Sequence, residues 1–277
     1  MASSLPHLPE VHKLSPLVIR ILGGNPGPFS LQGTNTYLVG NGSSRILIDT
    51  GQGMPSWLPL LSSVLCSEST TISHALITHW HEDHVGGIND LLKLSPNTVV
   101  HKHSPTKGQN PIIDGQVFKT QGASLRAFHC PGHTTDHVAF ILEEEDAMFT
   151  GDNVLGHGTA VFEDLATYLD SLNRMRDQFN GQAYPGHGEF IADGKQRIVE
   201  YIEHRKQREE EVLQALKDVD GAATPVQLVK AVYKDLSPLL HEAAAKGLVL
   251  ILDKLKMEGK VVEGSEGRWS ISEKAIL

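Results

Sequence analysis

The sequence predicts a mixed fold, α/β or α+β, from two observations. Short runs rich in β-branched and aliphatic residues are closed by turn signals, and between them lie stretches whose apolar residues recur every three or four positions. The 277 residues allow one large domain, or one large and one small. Apolar residues at 40% and charged residues at 21% are ordinary globular usage, which excludes collagen-like, coiled-coil and disordered readings.

In chain order, Arg20–Leu22, Thr36–Val39, Arg45–Ile48, His74–Ile77 and Val138–Leu142 read as strands, with helices expected over Trp57–Leu65 and Ile88–Leu94. Gly24-Asn25-Pro26-Gly27-Pro28 and Gly51-Gln52-Gly53 follow apolar runs directly, where strand-end loops of layered folds carry function. Leu165–Phe179 and Gly194–Leu216 read as helices, the second long and amphipathic. Its charged run Glu203–Glu211 is expected to be a solvated face with i,i+4 pairs. Beyond Asp220-Gly221 come three short helical segments, then Gly259–Glu263, a turn, and Arg268–Ile271: three helices and a two-stranded wing. The expected division is a catalytic domain over 1–205 and a winged-helix-like domain over 206–277. The few basic residues of its last helix, Lys246, Lys254 and Lys256, favour a structural or lid role over nucleic-acid binding.

Charge and apolar patterning narrow the partners. Twenty-four Lys and Arg against 33 Asp and Glu leave a net charge of -9, so no overall basic field draws in nucleic acid. The longest apolar stretches, such as Ala75–Ile77 and Leu248–Leu252, fall far short of the roughly 20 residues that span a bilayer, so no membrane association is expected. Two cysteines, Cys66 and Cys130, with no paired spacing, point to a reducing compartment. The N-terminal residues show neither a secretory nor a transit pattern, and the cytoplasm is expected, with the mitochondrion as the alternative.

Histidine is the anomaly, with fifteen in the chain. Thr78-His79-Trp80-His81-Glu82-Asp83-His84 follows the apolar run His74–Ile77 directly. In extended chain His79 and His81 project to the same face and reach one ion, while Asp83 and His84, at the turn into a helix, face a second. Further ligand types each follow an apolar run beside glycine: His133 in Pro131-Gly132-His133, Asp152 in Thr150-Gly151-Asp152, His187 in Pro185-Gly186-His187. Three histidines (His79, His81, His133), a second set (Asp83, His84, His187) and one carboxylate able to bridge (Asp152) make an inventory for two adjacent divalent ions.

With its H-x-H-x-D-H motif and each later position filled, the chain resembles the metallo-β-lactamase-fold hydrolases over nearly its whole length. The resemblance implies a four-layer αββα sandwich with two Zn2+ at the edge of the sheets, Mn2+ or Fe2+ being alternatives. It also implies that Asp49, in Leu47-Ile48-Asp49-Thr50-Gly51, is the aspartate that orients ligand histidines. Two such ions lower the pKa of a shared water from about 15.7 towards about 7. Asp83 and Asp49 are then the expected catalytic residues, Asp83 taking the proton of the attacking water and Asp49 fixing histidine tautomers.

Gly23–Gly27, Leu31–Tyr37, Val161–Leu165 and the winged-helix-like tail resemble one subgroup in particular. It holds the lactamase-beta-2-like endoribonucleases, which cut single-stranded RNA, and the fungal polyketide thioesterases of the metallo-β-lactamase type, which release an aryl acid such as atrochrysone carboxylic acid from an acyl carrier protein. Met54–Trp57, Glu145–Gly158 and Glu203–Glu209, with His157 where the ribonuclease group tends to carry an acid, resemble the thioesterases more closely. A dizinc thioesterase with an acyl carrier protein domain of a polyketide synthase as partner is therefore the expected function, the endoribonuclease the alternative, and a glyoxalase-II-type thioesterase a more remote one. Asn35, Trp57, His157 and Phe162 are candidate pocket residues, although residues of these types near a strand end are more often packing. The oligomeric state is not readable from the sequence.

Overall fold

Strands buried on both faces can be apolar at nearly every position, and the central strands Val18–Leu22, Asn35–Val39, Val138–Leu142 and Ala147–Gly151 are buried along their whole length because each sheet is covered on both faces. A computed structural model describes residues 5–219, 221–234, 237 and 241–272; Asp220, in the turn expected before the C-terminal segment, lies outside them. The first sheet runs in sequence order through β1 (Val11–Lys13), β2 (Val18–Leu22), β3 (Asn35–Val39), β4 (Ser44–Ile48), β5 (Thr71–Leu76), β6 (Val99–Lys102) and β7 (Asn110–Pro111). β1 to β4 pair antiparallel. From β4 onward pairing is parallel, and helices carry the two longer crossovers: α1 (Trp57–Ser67) joins β4 to β5, and α2 (Glu82–Val85) with α3 (Ile88–Leu94) joins β5 to β6. The second sheet is the antiparallel meander β8 (Val117–Thr120), β9 (Ala123–His129), β10 (Val138–Leu142) and β11 (Ala147–Gly151). β12 (Ala183–Pro185) is added parallel to β11 after α4 (Leu165–Arg176).

Period-two alternation sorts the side chains into layers. On β4, Ile46 and Ile48 point between the sheets while Leu47 joins Trp57, Leu61 and Leu91 beneath α1 and α3. On β10, Val138, Phe140 and Leu142 face the other sheet, and Ala139 and Ile141 face the helices on the far side. The result is the expected αββα sandwich.

The C-terminal part is the expected winged helix, but among the described residues two helices rather than three follow Gly221, α6 (Pro225–Val232) and α7 (His241–Met257), before the hairpin β13 (Val261–Glu263) with β14 (Trp269–Ile271); the long α5 (Gly194–Asp218) packs with them. Thr224 caps α6 reciprocally with Gln227, and Pro225 occupies its first turn. α5 runs unbroken through residue 205, so the expected division falls inside a helix. One end of it, with Ile198, Tyr201 and Ile202, packs in the same apolar cluster as the other, with Val212 and Leu216, and as Leu248, Leu252 and Trp269 of the winged helix. The charged run on α5 is not a solvated face throughout. Glu209 is buried and paired at 2.7 Å with Lys254 of α7, which ties the two helices, and Arg205 and Arg208 are half-buried. No helix among the described residues is long and apolar enough to cross a membrane.

Candidate metal centre

The chemistry-bearing loops leave neighbouring strand ends of both sheets and are stitched together by backbone. The Asn35 N–H donates to the Gly186 carbonyl at 2.7 Å, and the Val138 N–H to the Thr78 carbonyl at 2.8 Å. Gly186 allows the closest approach: a Cβ there would collide with Asp152 Oδ1. The seven residues expected from the sequence fall into two groups. His79, His81, His133 and Asp152 offer donor atoms all within 4.8 Å of one another, as do Asp83, His84 and His187. Asp152 also faces the second group, its Oδ2 lying 3.2 Å from His187 Nε2 and its Oδ1 3.5 Å from His84 Nε2.

Hydrogen bonds fix which nitrogens carry lone pairs towards the centre. His133 Nδ1 donates to the Val161 carbonyl at 2.8 Å, leaving Nε2 as an acceptor. Asp49 acts on two histidines. Its Oδ2 accepts from His84 Nδ1 at 2.7 Å and from the Thr78 hydroxyl at 2.9 Å, and that hydroxyl in turn accepts from His79 Nδ1 at 2.9 Å. Asp49 itself sits in the left-handed region, φ 58°, a conformation Asp tolerates better than most residues. In the first group, His79 Nε2 lies 3.0 Å and His133 Nε2 3.1 Å from His81 Nδ1. Three ring nitrogens converge, and one proton could serve only one of these pairs. In the second, His84 Nε2 and Asp152 Oδ1 are buried without a hydrogen-bond partner among the described residues. Converging lone pairs and orphaned donors fit a divalent cation.

The charges agree with this layout. Burial, together with the neighbouring His84, holds His79 well below the ordinary histidine range. Burial works the same way on His84, but Asp152 and Asp49 override it and raise its pKa well above that range. His187 is likewise lifted against burial by Asp152 and Asp83, to about 9. Asp83 is held at about 2, burial being outweighed by the hydrogen bond from His187 and the nearby His84.

Over the donors opens a pocket of about 400 Å3 whose rim is apolar, with Phe29 82% and Val161 59% exposed. His157 lines it, together with Leu31 and Leu155, and no Lys or Arg among the described residues does. The other three expected pocket residues lie elsewhere. Asn35 is fully buried, its amide donating to the Pro185 and Gly188 carbonyls at 2.9 Å each, so it shapes the His187 loop from behind. Trp57 is in the core beneath the first sheet, its indole N–H donating to Thr36. Phe162 stacks on Tyr168 at 5.6 Å and faces an adjacent cavity. The sequence reading missed Thr78, the relay from Asp49, and Thr34, whose hydroxyl donates to Asp83 Oδ2 at 3.3 Å. It also missed His137, a buried ring that accepts from the Asp152 N–H at 3.1 Å. A hydroxyl residue abutting H-x-H, and a second histidine four positions after His133, were the available signals.

Residues 30–107 and 102–187 match the family model described as "Metallo-beta-lactamase superfamily". The chain belongs to that superfamily. The winged-helix part of this metallo-β-lactamase-fold chain matches "Beta-lactamase associated winged helix domain" over residues 224–269. Among curated relatives, an atrochrysone carboxyl ACP thioesterase of Cryptosporiopsis sp. (strain 8999) is 48% identical, the match covering 94% of this chain and 85% of that protein. An atrochrysone carboxyl ACP thioesterase of Aspergillus chevalieri is 45% identical over 97% of this chain and 91% of that protein. A solved metallo-beta-lactamase family protein from Thermus thermophilus shares the fold with a TM-score of 0.77 at 24% identity, covering 94% of this chain and all of that one (100%).

Proposed function

We propose that this metal-dependent hydrolase is a thioesterase that releases an aryl polyketide acid from an acyl carrier protein, with two zinc ions held by His79, His81, His133 and Asp152 on one side and Asp83, His84 and His187 on the other. The observation that carries the reading is the pocket over the donors: an apolar rim without a cationic side chain among the described residues suits an aryl acyl group better than a phosphodiester backbone. The relatives named as ACP thioesterases support the same substrate class. Two unpaired cysteines, Cys66 and Cys130, agree with a reducing compartment such as the cytoplasm.

When bound, the metal pair supplies a Lewis acid for the thioester carbonyl and makes water a nucleophile at neutral pH. The chain's own residues do the rest. Asp49 and Thr78 hold the rings of His84 and His79 in the tautomers that leave Nε2 facing the centre. Asp83 is the one donor carboxylate with a side chain substantially open to the pocket, at 27%, and its Oδ2 takes the proton of the attacking water. Thr34 fixes the orientation of that oxygen. Phe29, Leu31 and Val161 exclude water from the acyl group.

The test is release of free thiol from an aryl-acyl carrier protein by zinc-loaded enzyme, with labelled single-stranded RNA as the competing substrate. Thioester cleavage lost in Asp83→Asn supports the reading. RNA cleavage with the thioester left intact overturns it in favour of the endoribonuclease.

A further inference from the structure

A second cavity, of about 380 Å3, lies between α5 and α7, and it shares a wall with the catalytic pocket: Thr159, Ala160 and Val161 line both. Its chemistry is the reverse of its neighbour's. Arg205, Arg208 and His204 line it, and among the described residues no carboxylate does. In a chain of net charge -9 this is a local concentration of positive charge. Both guanidinium groups are held on aromatic faces, Arg205 4.8 Å above the Phe162 ring and Arg208 4.5 Å above the Tyr233 ring, so their positions are set before any ligand arrives. Among the described residues no carboxylate lies within ion-pair distance of Arg205, which donates to the Ala160 carbonyl and also meets the Tyr168 hydroxyl. Its Nε and His204 Nδ1 are buried without partners among the described residues. Among the described residues Arg208 is paired with Glu211 alone, at 2.5 Å. Burial lowers the pKa of His204, and the two arginines beside it lower it further, which reports the same positive potential. Planar forks preset on aromatic rings, with donors unspent, suit a phosphate.

We infer that this cavity holds the phosphate of the phosphopantetheine arm on which a carrier protein presents its acyl thioester, so that the acyl group enters the metal pocket while the anionic root of the arm is read next door. The inference rests on the thioesterase reading, since a carrier-bound thioester has one phosphodiester on the same arm as its sulfur. The shared wall gives the arm a continuous surface. It is pinned from both sides, by His133 on the Val161 carbonyl and Arg205 on the Ala160 carbonyl.

Two measurements on the full zinc-loaded chain test this. The first is calorimetric binding of phosphopantetheine against pantetheine. The phosphate is expected to tighten binding about tenfold or more in the wild type, and Arg208→Gln to remove that gain. Arg208→Lys, which keeps the charge and loses the fork, recovers part of it. Glu211→Gln, which frees Arg208 from its partner, tightens binding. The second is the ratio of kcat/KM for a coenzyme A thioester, which carries the phosphate, to that for the N-acetylcysteamine thioester of the same aryl acid. Arg208→Gln lowers the ratio about tenfold. Phosphopantetheine no tighter than pantetheine, or an Arg208→Gln loss equal on both thioesters, overturns the inference, as does single-stranded RNA displacing phosphopantetheine at lower concentration than a carrier protein does. Arg208-dependent phosphopantetheine binding with neither thioester hydrolysed leaves the phosphate site standing and removes the thioesterase reading.

Discussion

The two donor groups meet at Asp152 and differ in how they are fastened. In the first, His133 and His79 are locked from behind, one by the Val161 carbonyl and the other by the Thr78 hydroxyl that leans on Asp49. In the second, His84 is gripped by Asp49 directly, while Asp83 is met by His187 and by a long bond from Thr34 and keeps a side facing the pocket. A donor locked on every side can only hold an ion. A carboxylate left partly open could also move a proton, and the proposed division of work between the groups follows from that asymmetry of tethering.

Removing the carboxylate that the groups share is expected to have the largest effect. Asp152→Ala is expected to lower kcat by at least about 10³-fold and to deplete metal from both groups. Elemental analysis beside kinetics checks it, and two ions per chain with full activity would show that Asp152 does not link them. Asp83→Asn comes next, with kcat down about 10²-fold while the first group keeps its ion. Loss of all metal in that variant would mean that the groups do not bind separately. Tethers follow. Asp49→Asn, which suits the left-handed backbone there, touches both groups and is expected to cost about 10- to 100-fold in metal affinity. Thr78→Val acts on the first group alone and should cost less; equal losses in the two variants would show that Thr78 relays nothing.

The smallest effect lies away from the centre, in a histidine pair that holds no donor. His74 Nδ1 lies 3.0 Å from His101 Nε2 on β5 and β6. Burial lowers both pKa values, and for His101 so does the proximity of His74. Because the unfolded chain then binds protons more readily, the stability of the pair is present above the unfolded value of about 6.5 and is lost as pH falls through it. Between pH 7.5 and 5.5 the wild type should lose about 2 °C more in Tm than His101→Phe, by differential scanning calorimetry. A variant that tracks the wild type at both pH values would remove the pair from the account.

The layers and the donor set were legible because both are written locally. Period-two runs give the strands, and H-x-H-x-D-H beside a strand end gives four donors within six residues. What surrounds the donors is decided by the packing of distant segments, and there residue type misleads. Asn35 and Trp57 have pocket-like chemistry, yet the β3 register sends the one behind the His187 loop and α1 sends the other into the core. Phe29 and Leu31, in an irregular loop with no periodicity to read, form the rim instead. The Glu203–Glu211 run misled for the same reason, since its partners on α7 are some 45 residues further along the chain.

The strip from Gly158 to Val161 is fastened through its carbonyl oxygens: Arg197 and Tyr201 hold Gly158, Arg205 holds Ala160 and His133 holds Val161. Main-chain anchors are indifferent to which side chain hangs from them. Thr159 and Val161, both exposed, are therefore positions where descendants of this protein can trade one acyl preference for another by single substitutions, with the ion-binding residues undisturbed and the route open to gradual divergence.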